Sequence, residues 1–76
     1  MNRFVYLAEK FQYTGLPDGN GGQHAIISDK ELLEYSDFLW DLAQYMVFRN
    51  DSTMAKSLRV EHDRVELMIR ARKENP

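Results

Sequence analysis

Residues 28–50, SDKELLEYSDFLWDLAQYMVFRN, decide how this chain folds. Ser28 and Glu31 have the S-x-x-E spacing of a capping box, in which each side chain satisfies a free backbone N–H of the other residue. Asp29 and Glu31 also place negative charge at the positive end of the helix dipole. No glycine or proline interrupts the run, and Asn50 and Asp51 are typical stop residues. The sequence therefore predicts one continuous helix over 28–50.

The apolar side chains of this helix cover an unusually wide arc. At about 100° per residue they span roughly 220° of the circumference, against the arc of about 100° that is typical of a surface helix. The apolar residues are Leu32, Leu33, Tyr35, Phe38, Leu39, Trp40, Leu42, Ala43, Met46 and Val47. A single sheet covers one side of a helix, so the surplus predicts a second contact, made by a loop or by a partner protein.

The segments before the helix favour β-structure. Residues 3–13 are predicted to form a strand with aromatic side chains on both faces, and residues 24–27 (HAII) a second, short strand. Between them, residues 15–23 (GLPDGNGGQ) form a glycine-rich loop whose glycine, proline, asparagine and aspartate residues favour turns. On the first strand, one face would carry Val5, Leu7, Phe11 and Tyr13, and the other Phe4, Tyr6 and Ala8.

The segment over residues 57–71 has two interpretations. As a helix it has an apolar stripe of Met54, Leu58, Val65, Met68 and Ile69, with Val60 and Leu67 on the wrong side. As a β-hairpin turning at His62–Asp63, it places Val60 opposite Val65 and Leu58 opposite Leu67, with complementary charges on the other face. The hairpin is the more coherent pattern, although its turn lacks the glycine that two-residue hairpins prefer. Residues 72–76 are predicted to be a basic tail. The predicted fold is therefore α+β, in the order ββαββ, with an antiparallel sheet and one long helix on one face.

The sequence contains no pattern typical of an active site. The glycine-rich loop lacks the lysine of a phosphate-binding loop and the closing glutamate of a calcium loop. There are no cysteines, and the two histidines, His24 and His62, are too poorly placed to suggest catalysis or metal binding. We expect a protein that is not an enzyme and that uses no catalytic residues, cofactor or metal.

Binding to another protein is the function that the helix favours. Its polar stripe includes the acidic residues Glu34, Asp37 and Asp41, and aromatic side chains are typical anchors of interfaces. The candidate partner-binding residues are Glu34, Asp37, Trp40, Asp41, Tyr45 and Phe48. A homodimer built on the same helix is an alternative, and nucleic-acid binding through the basic C-terminal segment is less favoured because nearby acids cancel its charge.

Size and composition point to a small intracellular protein. Its 76 residues make one domain, and oligomerisation or partner binding would be a natural source of extra stability for a domain of this size. The sequence shows neither a signal peptide nor a membrane span, so we expect a cytoplasmic protein that does not contact a membrane. Small chains without cysteine are common among phage proteins that inhibit host or defence proteins, and that association suggests inhibition by steric occlusion.

Overall fold

The described part of the chain, residues 2–14 and 26–74 of a computed structural model, is helical. It contains α1 (Arg3–Thr14), α2 (Asp29–Phe48) and α3 (Ser52–Glu74). No strand occurs in these residues, so the predicted α+β fold with an antiparallel sheet in the order ββαββ is wrong. The glycine-rich loop predicted over residues 15–23 lies outside the described residues, as do His24 and Ala25 of the predicted second strand. Ile26 and Ile27, the rest of that strand, have no regular secondary structure.

Helix α1 replaces the strand predicted over residues 3–13. The Asn2 Oδ1 atom accepts a hydrogen bond from the Val5 N–H at 2.8 Å, which caps the helix. Phe4, Leu7 and Phe11 recur at helical spacing and form the side that packs on the core. The strand prediction is wrong because aromatic residues also occur in helices that bury one side, and Val5 is the only β-branched residue in that segment.

Helix α2 begins where the sequence predicts. The Ser28 Oγ atom accepts the Glu31 N–H at 3.1 Å, and the Glu31 Oε1 atom accepts the Ser28 N–H at 3.0 Å, so the capping box is confirmed. The helix ends at Phe48, two residues before the predicted limit at Asn50.

A tight turn connects α2 to α3. Asn50 has a φ of 62°, in the left-handed region. Its N–H donates to the Val47 carbonyl at 3.0 Å, and the Asp51 N–H donates to the Met46 carbonyl at 2.8 Å, which is the hydrogen-bond pattern of a Schellman motif. The Asp51 Oδ1 atom then accepts the Met54 N–H at 3.1 Å and caps α3. The chain therefore reverses within three residues, and α3 runs antiparallel to α2.

Helix α3 contradicts both the hairpin over residues 57–71 and the separate basic tail over residues 72–76. It continues to Glu74, and only residues 75–76 of that tail lie outside the described part. Val65 is fully buried, and Val60 and Leu67 are exposed, as the helical alternative requires. A hairpin at His62–Asp63 would need positive φ angles without the glycine that adopts them at least cost. A helix instead satisfies its backbone locally and buries one stripe.

The three helices enclose one core between them. Its fully or almost fully buried members are Leu7, Ile27, Leu32, Tyr35, Leu39 and Val65. Helix α1 runs antiparallel to α2, because Arg3 contacts Glu34 at 2.8 Å and Lys10 contacts Glu31 at 2.9 Å. Helices α1 and α3 thus cover two different sides of α2. The second contact that the wide apolar arc of α2 required is made partly by the chain itself.

Candidate interaction surface

One line of apolar side chains on α2 remains uncovered by α1 and α3. Leu33, Trp40 and Val47 are 55%, 49% and 47% exposed. They lie seven residues apart, so at about 100° per residue they drift only about 20° between neighbours and form one stripe, roughly 21 Å long. We call these three residues the 33/40/47 stripe. A helix that packs against another in a coiled coil has apolar residues at two positions of each seven-residue repeat, and this stripe supplies one of the two.

Trp40 lies beside a polar network in the seam between α2 and α3. Its ring centroid lies 5.5 Å from that of His62, with the two planes tilted by 45°. The His62 Nε2 atom is 3.5 Å from the Glu66 Oε1 atom, which also accepts the Ser36 hydroxyl at 2.7 Å. Ser36 is buried, so this hydrogen bond satisfies a polar group in the seam between the helices. The indole therefore packs on one side against His62, and about half of its surface stays exposed.

A cleft extends the stripe beyond Leu33 towards the end of α3. It has a volume of about 260 Å³ and is lined by Asp29, Leu32, Leu33, Ile69, Arg72 and Lys73. The Arg72 Nη1 atom donates to the Asp29 Oδ1 atom at 3.0 Å. This ion pair closes the polar side of the cleft, and Leu33 with Ile69 forms its apolar wall.

The predicted acidic stripe of Glu34, Asp37 and Asp41 is divided by the fold. Glu34 faces α1, where it accepts two hydrogen bonds from the Arg3 guanidinium, at 2.8 and 3.0 Å. These hydrogen bonds lower the pKa of Glu34. Asp37 and Asp41 are exposed, and neither has an ion pair among the described residues. Glu34 therefore holds α1 on α2, and only the two aspartates are available to a partner.

Tyr45 and Phe48 lie away from the 33/40/47 stripe, near the turn to α3. They are about 140° and 80° around α2 from Trp40. Phe48 is 85% exposed, and the Tyr45 hydroxyl accepts a hydrogen bond from Arg49 at 3.1 Å. Of the six predicted partner-binding residues, Trp40 thus belongs to the stripe and Asp37 borders it, while the others face elsewhere.

Leu33, Val47 and His62 belong to this surface but were not among the predicted site residues. The signal for Leu33 and Val47 was available, since both are seven residues from Trp40. His62 contacts Trp40 only because α3 is a helix that runs antiparallel to α2. The predicted hairpin does not bring these two residues together.

Within residues 2–14 and 26–74, no group of three or more His, Cys, Asp or Glu residues is arranged to bind a metal ion. No helix in the same ranges is both long and apolar enough to cross a bilayer.

No protein-family model, curated protein or solved structure matches this chain.

Proposed function

We propose that this chain is a protein-interaction module that binds through the 33/40/47 stripe. The observation that carries the proposal is the alignment of Leu33, Trp40 and Val47 along one side of α2, each about half exposed on a well-capped helix. Scattered exposed apolar residues are common on protein surfaces, so it is the alignment of these three on one side that favours binding.

The surface is also suited to rigid binding. Trp40 packs against His62, and α2 is capped at both ends, by its capping box and by the turn at Asn50. A side chain that is already ordered loses little conformational entropy on binding, and tryptophan is the residue most enriched among interface anchors. A rigid helical face also excludes other molecules from the surface it covers, so this mode of binding fits inhibition by occlusion.

The test is a comparison of three immobilised baits in extract from the source cells: wild type, Trp40→Glu and Leu67→Glu. Leu67 is a matched control because it is 61% exposed but lies on the solvent side of α3, about 200° around that helix from the buried Val65. Far-UV circular dichroism would first establish that both variants are as helical as the wild type. If Trp40→Glu is less helical than the wild type, Leu33→Glu replaces it as the stripe variant.

We expect proteins that bind the wild type to bind Leu67→Glu equally and to be lost from Trp40→Glu, as measured by quantitative mass spectrometry. A carboxylate in the stripe would have to be buried without a partner on binding, which costs several kcal/mol. Equal binding to all three baits would overturn the proposal, as would a wild-type chain that neither enriches a protein over the beads alone nor associates with itself.

A further inference from the structure

We infer that the occupant of the 33/40/47 stripe is a second copy of this chain, packed antiparallel so that α2 meets α2 across a two-fold axis at Trp40. This inference rests on the proposed function, since it assigns the partner of the same surface. Three features of the described residues support it: the symmetry of the stripe, the polar residues beside it, and the area that the contact would bury.

The stripe has the same pattern in both directions. Leu33 and Val47 are each seven residues from Trp40, on opposite sides. In an antiparallel pair, Leu33 of one copy lies at the height of the second copy's Val47, and the two Trp40 side chains meet at the axis. A two-fold interface requires this kind of self-complementary surface, in which residue i meets residue j and j meets i.

The polar residues beside the centre of the stripe are complementary under the same symmetry. Asp37 lies three residues before Trp40 and Gln44 four residues after it. In the antiparallel pair, the Asp37 carboxylate of each copy therefore meets the Gln44 amide of the other copy and not another charge. Asp29 and Asp51 are each eleven residues from Trp40, so these two carboxylates would lie at the same height. The Arg72 Nη1 atom, 3.0 Å from the Asp29 Oδ1 atom, offsets the repulsion between them. Asp41, about 100° around α2 from Trp40, lies outside the contact.

The available area indicates a weak dimer. A helix of 20 residues is about 30 Å long and 10 Å wide, so α2 alone offers about 300 Å² and the α2–α3 face together about 600 Å². Stable complexes bury about 800 Å² on each partner, and smaller contacts are typical of transient ones. We therefore expect dissociation in the micromolar to millimolar range, with the monomer predominant in dilute solution.

Sedimentation equilibrium over that range, together with the emission of the single tryptophan, tests the inference. Because Trp40 is 49% exposed in the monomer, its emission should shift to the blue as the dimer forms. Leu33→Glu should weaken association by about 100-fold or more, because one buried leucine is lost on each copy. The Leu67→Glu control should retain the wild-type dissociation constant.

Cysteine pairs test the antiparallel register, since the native chain has no cysteine. A mixture of Asp37→Cys and Gln44→Cys chains should form a mixed disulfide, because the two positions differ in height by only about 1.5 Å. Neither variant should link to itself, since self-pairing would require offsets of about 9 and 12 Å along the helix, beyond the span of about 7 Å that a disulfide allows. A self-linked Gln44→Cys dimer, or the absence of the mixed disulfide, would overturn the antiparallel arrangement.

The two proposals fail in different ways. A wild-type chain that stays monomeric at millimolar concentration, or that dimerises equally well as Leu33→Glu, overturns the second copy as the occupant. If that monomer still retains a foreign protein that Trp40→Glu loses, the stripe binds a different partner and the proposed function stands. If neither self-association nor stripe-dependent capture is found, both are wrong.

Discussion

Glu31 connects two parts of this fold, and its removal should destabilise both. Its Oε1 atom accepts the Ser28 N–H at 3.0 Å, and its two oxygens lie 3.0 and 2.9 Å from the Lys10 ammonium on α1. Its side chain is 14% exposed. The hydrogen bond from Ser28 and then that from Lys10 lower the pKa of Glu31 from 4.5 to about 2. Replacement by alanine would lose the capping bond and the ion pair together.

The magnitude follows from that pKa. A group whose pKa is lower in the folded chain stabilises the fold at pH values above its unfolded pKa. The shift from 4.5 to about 2 corresponds to about 3 kcal/mol at most, and solvent screening at this partly accessible pair reduces the expectation to about 1–2 kcal/mol. We expect Glu31→Ala to lower the free energy of unfolding by about 2 kcal/mol near neutral pH, and Glu31→Gln by about 1 kcal/mol, because glutamine can still complete the capping box.

Urea denaturation followed by far-UV circular dichroism measures these differences. The difference between wild type and Glu31→Gln should shrink as the pH falls from 4.5 to about 2, where the wild-type carboxylate becomes protonated. Glu34→Gln is the matched control, since it removes a more exposed ion pair between the same two helices and should have the smaller effect. A Glu31→Gln chain as stable as wild type near neutral pH, or a difference that persists at about pH 2, would refute this account of the carboxylate.

The remaining predictions concern the core, the turn and a buried hydroxyl, and thermal or urea unfolding measures all three. Leu7→Ala should lower the free energy of unfolding by about 2–4 kcal/mol, because Leu7 is fully buried. Leu67→Ala, the exposed control, should change it by about 0.5 kcal/mol or less. Equal effects of the two substitutions would mean that α1 does not pack on the core. Asn50→Val should lower the free energy of unfolding by about 1–2 kcal/mol because Asn50 has a positive φ angle, whereas Asn50→Gly should be neutral or slightly stabilising. A valine variant more stable than the glycine variant would contradict the left-handed turn at Asn50. Tyr35→Phe should lower the free energy of unfolding by about 1–2 kcal/mol, because the hydroxyl of the buried Tyr35 donates to the Glu61 carboxylate at 3.1 Å. Tyr45→Phe, at an exposed tyrosine, is its control.

Local signals in the sequence predicted α2 well. The capping box at Ser28 and Glu31 depends on residues three apart, and the long run without glycine or proline depends on neighbours alone. The width of the apolar arc was also readable, and it correctly required more than one contact. The three residues of the 33/40/47 stripe are among the apolar residues of that arc.

The nature of α1 and α3 could not be decided from the same kind of signal. Phe4, Leu7 and Phe11 fit one side of a helix, yet their aromatic character also suits a strand. In α3, Val60 and Leu67 lie off the apolar stripe of the helix, and the sequence does not show that both remain exposed to solvent. Propensity is a weak prior at such positions, and packing against neighbours overrides it.

What the sequence alone determined about this protein is the start and continuity of α2 and the excess of apolar surface on it, because capping and periodicity act between residues close in the chain. What only the tertiary structure decided is which part of that surface remains exposed. Helix α1 covers the side that carries Glu34, and α3 covers the side next to Ser36. The 33/40/47 stripe is what the two helices leave uncovered, and that outcome depends on how elements far apart in sequence pack together.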